Sequence, residues 1–384
     1  MSDPASSHLA DGGQYFPDRP QFSGFMKPCR FEGDVQNLEV HGKIPADIDG
    51  TFYRVMPDPQ FDPKTGDMIC FGYEARGDGA PDICYYNVTL EWRVTEVVWL
   101  VALVLFPLIP QLYDIERMKR GGEHWEWSPE TPFYIGLLPQ RGAKPADVKW
   151  FRYRNSFPGH TANAYETKDG QIIFDLGLSD QNVFFRWPDA QVRAPEPHQI
   201  HSQLTRFTVD PSSDSLDLSE PEILQTNNTE FYRIDDRFTT QPYRHCFFDL
   251  MDPSLRTDFA AIAPRLGGGY PLYNALRHLD LETGETEIYF PGKMHMMQEP
   301  VFIPRAGSGS TTEGEEGDGY LLALVNNYAT MCSELHLLDV KKDFTRLEAV
   351  ILLPVRLRLG LHGNWVHGRG FENFRSLNVT KIPA

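Results

Sequence analysis

Asn155-Ser-Phe-Pro-Gly-His-Thr-Ala-Asn-Ala-Tyr-Glu166 runs into a polar turn and then the apolar stretch Gln171–Leu176. His160 follows a Pro-Gly pair, and Glu166 closes the short run. A neutral imidazole held at a turn beside a strand is a good metal ligand. A lone histidine is structural more often than not, so the weight of His160 depends on what elsewhere can join it. The alternation of short runs with turn residues is the signature of an all-β chain.

That rhythm extends in both directions. Upstream, Asn37–His41, Thr51–Met56, Met68–Glu74 and Ile83–Val88 read as strands, separated by Gly42–Gly50, Asp62–Gly66 and Asp78–Asp82 as turns. Gln111–Gly122 reads as the one helical piece, Trp125–Pro132 as an aromatic loop and Phe133–Pro139 as a strand. Downstream, strands are expected near 203–209, 231–234, 245–250, 260–262, 274–280, 286–290, 300–303, 320–326, 334–338 and 348–353. The acidic, Gly- and Ser-rich stretch 305–319 reads as a solvated loop between two strands. Residues 1–29 read as a loose, partly ordered arm.

The chain has 384 residues and a net charge of −17. An acidic surface without a basic stripe excludes nucleic acid as a partner. The 25 Phe, 16 Tyr, 31 Gly and 30 Pro suit many short strands and many turns. Five cysteines (Cys29, Cys70, Cys84, Cys246 and Cys332) are widely spaced and form no CxxC, which indicates reduced thiols and a cytoplasmic setting. The run Val97–Pro110 is too short and too broken by Pro107 for a span of about 20 residues. It reads as buried strands, with an interfacial patch in peripheral membrane contact as the alternative.

Among the 12 histidines, two stand out. His362 lies in Gly360-Leu-His-Gly-Asn-Trp-Val366, and Gly363 allows close backbone approach. His160 is likewise glycine-flanked. His198 and His201 form an HxxH that would serve a metallohydrolase on a helix, but the segment enters a strand, where the two point apart. His245 reads as a core histidine, and His124, His278, His336 and His367 as residues among charges or at strand edges. Two acids also stand out, Glu299 in Gln298-Glu-Pro-Val-Phe-Ile-Pro304 and Glu230 in Thr229-Glu-Phe-Tyr-Arg-Ile-Asp235. Either could equally be a surface turn acid.

Taken together, Gly42-Lys-Ile-Pro-Ala-Asp-Ile-Asp-Gly-Thr-Phe-Tyr-Arg54, His160-Thr-Ala-Asn-Ala-Tyr-Glu166, Glu230-Phe-Tyr-Arg-Ile-Asp235, Glu299-Pro-Val-Phe-Ile-Pro-Arg305 and Leu361-His-Gly363 resemble the carotenoid cleavage oxygenases. Tyr243-Arg-His-Cys-Phe-Phe-Asp-Leu-Met-Asp-Pro253 resembles the lignostilbene dioxygenase branch. The resemblance implies a seven-bladed β-propeller over residues 30–366, with non-haem ferrous iron, Fe(2+), on its axis. It implies four histidine ligands, of which His160 matches the third and His362 the fourth. Glu230 and Glu299 match acids that accept the imidazole Nδ1–H and leave Nε2 for the metal. The implied activity is dioxygenase cleavage of a C=C bond into two carbonyl products. The implied substrate is an apolar conjugated molecule, a stilbenoid first and a carotenoid or apocarotenoid second, together with O2. Phe157 and Trp365 would line the site.

The chain departs from the pattern in three places. The segment expected to hold the first histidine should precede Asp62-Pro-Lys-Thr-Gly66, but Met56–Phe61 abuts that turn directly. The second histidine should follow Glu96–Ala102, but the chain runs into Leu103–Pro110. Internal deletions are therefore expected near 60–62 and 102–103, leaving the early blades incomplete. Residues 367–384 form a tail unlike the family. Two imidazoles hold iron poorly, so the rival expectation is an inactive truncated isoform or pseudoenzyme. A 2-His-1-carboxylate rescue would need a third ligand, and no well-placed acid is visible in the sequence.

Overall fold

The computed structural model describes residue 25, residues 35–53, the strands between 60 and 88, residues 103–113, 125–139 and 144–183, and, apart from a few short stretches, 189–367. The strands are β1 (Glu39–Gly42), β2 (Gly50–Tyr53), β3 (Gln60–Phe61), β4 (Met68–Tyr73), β5 (Ile83–Val88), β6 (Leu103–Leu108), β7 (Gln111–Tyr113), β8 (Trp125–Trp127), β9 (Phe133–Pro139), β10 (Lys149–Tyr153), β11 (Phe157–Glu166) and β12 (Ile172–Ser179). They continue as β13 (Gln203–Val209), β14 (Glu222–Gln225), β15 (Asn228–Arg233), β16 (His245–Met251), β17 (Ala275–Asp280), β18 (Thr286–Tyr289), β19 (His295–Pro304), β20 (Gly319–Asn327), β21 (Cys332–Asp339), β22 (Leu347–Leu352) and β23 (Asn364–His367).

Sequential strands pair antiparallel into blades, β11–β14 and β15–β18, each of four strands. The strands β19–β22 form a third meander, to which β1 adds as a fifth strand, and β2 pairs with β23. N-terminal strands thus join C-terminal ones, the pairing by which a propeller ring is closed. The first strand of each blade lies innermost: β11 packs on β15, β15 on β19 and β19 on β23. The described sheets before residue 157 are smaller, with three strands in β3–β5 and in β6–β9–β10, and two in β7–β8.

The core lies in layers between blades. One layer joins Phe247 and Leu276 to Met297, Phe302, Leu321 and Leu338. A second joins Phe133, Ile135 and Phe151 to Phe174, Leu176 and Phe207. Blades buried on both faces need strands that are apolar throughout, which is why eight of the nine residues of β20 are buried. Phe247 and Phe302 stack with centroids 5.7 Å apart, and truncating such a ring costs about 3–5 kcal/mol.

Three expectations need correction. Gln111–Tyr113 is strand, not helix, because it pairs with Trp125–Trp127, which was expected to be loop; residues 114–122 lie outside the described residues. Residues 260–262 belong to the helix α1 (Phe259–Leu266), where Ile262 and Leu266, four apart, share the buried face. The apolar run is only partly in the core: among the described residues β6 pairs with β9 alone, Pro107 lies in that edge strand, and Leu108 and Ile109 are exposed while Pro110 is buried. Within the arm expected to be partly ordered, Phe25 is fully buried against Ile262, Leu266, Met296 and Tyr328. Among the described residues no helix is long and apolar enough to cross a membrane.

Candidate metal centre

His160 lies inside β11 rather than at its mouth. The register runs Pro158↔Leu178 and then Thr161↔Leu176, so Gly159 and His160 together face Gly177. This is a β-bulge, a device that re-aims a side chain out of the ladder. Glycine is required at the bulge: a Cβ on Gly159 would lie 1.8 Å from Glu230 Oε1. The space it vacates admits the Glu230 carboxylate from β15. Glu230 Oε2 lies 2.5 Å from His160 Nδ1, and Oε1 accepts the His160 backbone N–H at 3.2 Å.

His362 lies two residues before β23, with Gly363 between. Its Nδ1 is 3.3 Å from both oxygens of Glu299, and Glu299 Oε2 accepts the Gly363 N–H at 2.9 Å. Glu299 is buried in the middle of β19 and also faces Arg233 at 3.2 Å. Burial works against its charged form, but the Arg233 charge and the His362 hydrogen bond outweigh it and hold its pKa below the ordinary carboxylate value. For His160, burial opposes the charged ring, yet the Glu230 charge and hydrogen bond prevail and raise its pKa.

The two imidazoles meet. His160 Nε2 and His362 Nε2 are 3.3 Å apart, although the residues are 202 apart in sequence. With each Nδ1–H directed at a carboxylate, both Nε2 atoms present lone pairs to the same point. Lone pairs facing at this distance repel unless a proton or a cation joins them. Two nitrogens each about 2.1 Å from one metal in neighbouring positions are themselves about 3 Å apart, so the pair fits two adjacent positions of a divalent ion. Among the described residues no group of three or more His, Cys, Asp or Glu completes such a site. Among the described residues this pair therefore fits two adjacent positions of a metal centre and no more.

Phe231 is the ring nearest this point, 4.6 Å from the His160 centroid and 6.3 Å from that of His362. The expected lining residues sit elsewhere in the packing. Phe157 is buried and stacks on Trp127 at 6.1 Å, and Trp365 packs with Val301, Ile303 and Phe52. His198 lies outside the described residues, and His201 bonds the Thr226 carbonyl at 2.8 Å. His336 is buried between Tyr289 and the charged Glu334. His278 is also buried; its Nε2 lies 3.0 Å from His245 Nδ1, and burial pushes His245 down to about 4. A cavity of about 410 Å³ is lined by Arg206, Asp210, Asp217 and Glu220 among others, a polar wall distinct from the histidine pair.

Sequence reasoning missed Arg233, Phe231 and Asp249. Asp249 is fully buried opposite Glu230, with neither carboxyl oxygen hydrogen-bonded among the described residues. The one available signal for it was an acid inside the apolar run Cys246–Met251, a position that demands either a partner or a proton.

The chain matches the family model described as retinal pigment epithelial membrane protein over residues 26–63 and 58–367. It is 51% identical to resveratrol cleavage oxygenase 1 of Aspergillus fumigatus, covering 92% of this chain and 97% of that one. It is 37% identical to carotenoid cleavage oxygenase 1 of Neurospora crassa, covering 90% of each. The crystal structure of Pseudomonas brassicacearum lignostilbene dioxygenase superposes with a TM-score of 0.81 at 28% identity, covering 93% of this chain and 100% of that one. The first alignment extends over 488 residues, more than the 384 present here, so the excess consists of positions this chain lacks. On these grounds the chain belongs to the carotenoid cleavage oxygenase family, in its lignostilbene dioxygenase-like branch.

Proposed function

We propose that His160 and His362 are ligands of a ferrous ion and that the site serves oxidative cleavage of a C=C bond in a stilbenoid. The observation that carries this reading is the 3.3 Å approach of two Nε2 atoms, each ring with its Nδ1 on a buried acid. Bound iron supplies the activation of O2 by which the alkene becomes two carbonyl products. The chain's own residues do the rest. Glu230 and Glu299 fix the tautomer, and Phe231 closes one side of the ring pair with an apolar surface. The stilbenoid is preferred to a carotenoid because the relative at 51% identity is a resveratrol cleavage oxygenase, against 37% for the carotenoid oxygenase.

A second reading has its own support. The two family matches meet at 58–63, beside the expected deletion at 60–62, and no third ligand appears among the described residues. On that reading the chain is an inactive propeller. Anaerobic titration with ferrous iron, followed by oxygen uptake on a hydroxylated stilbene and on an apocarotenal, separates the two. About one equivalent of tightly held iron with stilbene-dependent uptake supports the enzyme. Weak binding with no uptake on either substrate leaves the inactive propeller.

A further inference from the structure

We propose that Arg233 is a positioning residue that sets the orientation of the His362 ring, an inference that rests on the reading of His160 and His362 as a ligand pair. Its guanidinium makes two contacts from one nitrogen. Nη2 lies 3.2 Å from Glu299 Oε1 and donates to the Gly363 carbonyl at 2.5 Å. The Gly363 N–H in turn donates to Glu299 Oε2. Arg233, Glu299 and Gly363 therefore form a closed ring of contacts around the residue that follows His362. Both polar groups of that residue are held, one by the acid that also faces His362 Nδ1.

The strand geometry explains how one element reaches both histidines. Glu230 pairs with Asp249 and Arg233 with Phe247, so three steps along β15 match two along β16. In a regular strand, residues three apart point to opposite faces. The extra residue is absorbed at a bulge where Phe231 adopts a left-handed φ of 57°. Glu230 and Arg233 consequently share a face. Glu230 serves His160 and Arg233 serves the His362 loop, while the strained residue between them lays its ring against His160. A left-handed, bulky residue is costly and persists only where the surroundings over-determine it.

The test uses the metal-free full chain at a pH where the rings are neutral. Nitrogen-15 spectra of the imidazoles report which ring nitrogen carries the proton, with His160→Ala and His362→Ala supplying the assignments. The wild type is expected to show Nδ1–H on both rings. Arg233→Met is expected to give mixed tautomers at His362 and an unchanged His160, with cobalt(II) affinity lowered about 10-fold or more. Arg233→Lys keeps the charge beside Glu299 but loses the planar fork; it is expected to show the same selective effect in smaller degree, and it carries the comparison if Arg233→Met does not fold. A fixed Nδ1–H at His362 in the variants, or equal disturbance of both rings, overturns the role of Arg233. A wild type without a fixed tautomer on either ring overturns the ligand-pair reading itself, and the proposal with it.

Discussion

His160 sits within a ten-residue strand with its Nδ1 2.5 Å from Glu230, whereas His362 precedes a four-residue strand with its Nδ1 3.3 Å from both oxygens of Glu299. The first arm is held by secondary structure, since the β11 ladder and a bulge aim the ring at one acid. The second arm has no ladder at the histidine itself, so Arg233 and the Gly363 backbone supply the constraint. The acids differ in company as well. Glu299 has a cation beside it, and Glu230 has the buried Asp249 opposite. A ligand on a strand needs room for its partner, and a ligand on a loop needs something to hold the loop.

The largest expected effect attacks that room. Gly159→Ala would place a Cβ 1.8 Å from Glu230 Oε1, an overlap that must displace the carboxylate from its present place against His160. Cobalt(II) or iron(II) affinity is expected to fall by about 100-fold or more, beyond the usual range for losing an orienting acid. Gly177→Ala is the internal control. Its Cβ would meet the same oxygen at 2.9 Å, so the loss should be clearly smaller. Equal losses would mean that general packing, not access for Glu230, decides the outcome.

Next come the acids themselves. Glu230→Gln and Glu299→Gln should each cost about 10- to 100-fold in metal affinity. Only Glu299→Gln should also destabilise the fold strongly. It removes the carboxylate charge that faces the buried Arg233 guanidinium, a change worth about 3–5 kcal/mol. Denaturant unfolding of both variants checks the asymmetry. For the wild type, the depressed Glu299 pKa contributes stability that is present above the unfolded carboxylate value and lost as pH falls through the folded one. That acid limb should be missing from Glu299→Gln. Similar stability for the two variants would undo the distinction between the arms.

Much of the first arm was legible in the sequence. Pro158-Gly-His, Glu230 and Glu299 sit in short motifs, and the strand periods around them follow from residue type. The second arm was legible only at His362 and Glu299. Arg233 was not, because its contact with Gly363 spans 130 residues and its orientation depends on a bulge that no local pattern announces. The helix at Phe259–Leu266 and the strand at Gln111–Tyr113 were misread for a related reason. Tertiary pairing and burial decide the state of short apolar runs, and periodicity alone cannot.

The smallest expected effect concerns Asp249, the buried acid opposite the first arm. Burial, together with the charges of Glu299 and Glu230, pushes its carboxyl well above the ordinary value. The folded protein therefore keeps a proton that the unfolded chain releases above about pH 4. Any stability from this group is fully present below the unfolded pKa and declines as pH rises through the interval up to the folded one. At neutral pH Asp249 is a net cost. Asp249→Leu, among Phe247, Leu276 and Met251, should raise stability by about 1–3 kcal/mol at pH 7, the scale of one unsatisfied buried polar group. The gain should shrink toward pH 4. Metal affinity should be unchanged, since a neutral acid lends Glu230 no charge. Unfolding curves at the two pH values test this. A gain equal at both would mean that Asp249 holds no extra proton, and a loss of stability would mean that its carboxyl has a partner in the folded protein.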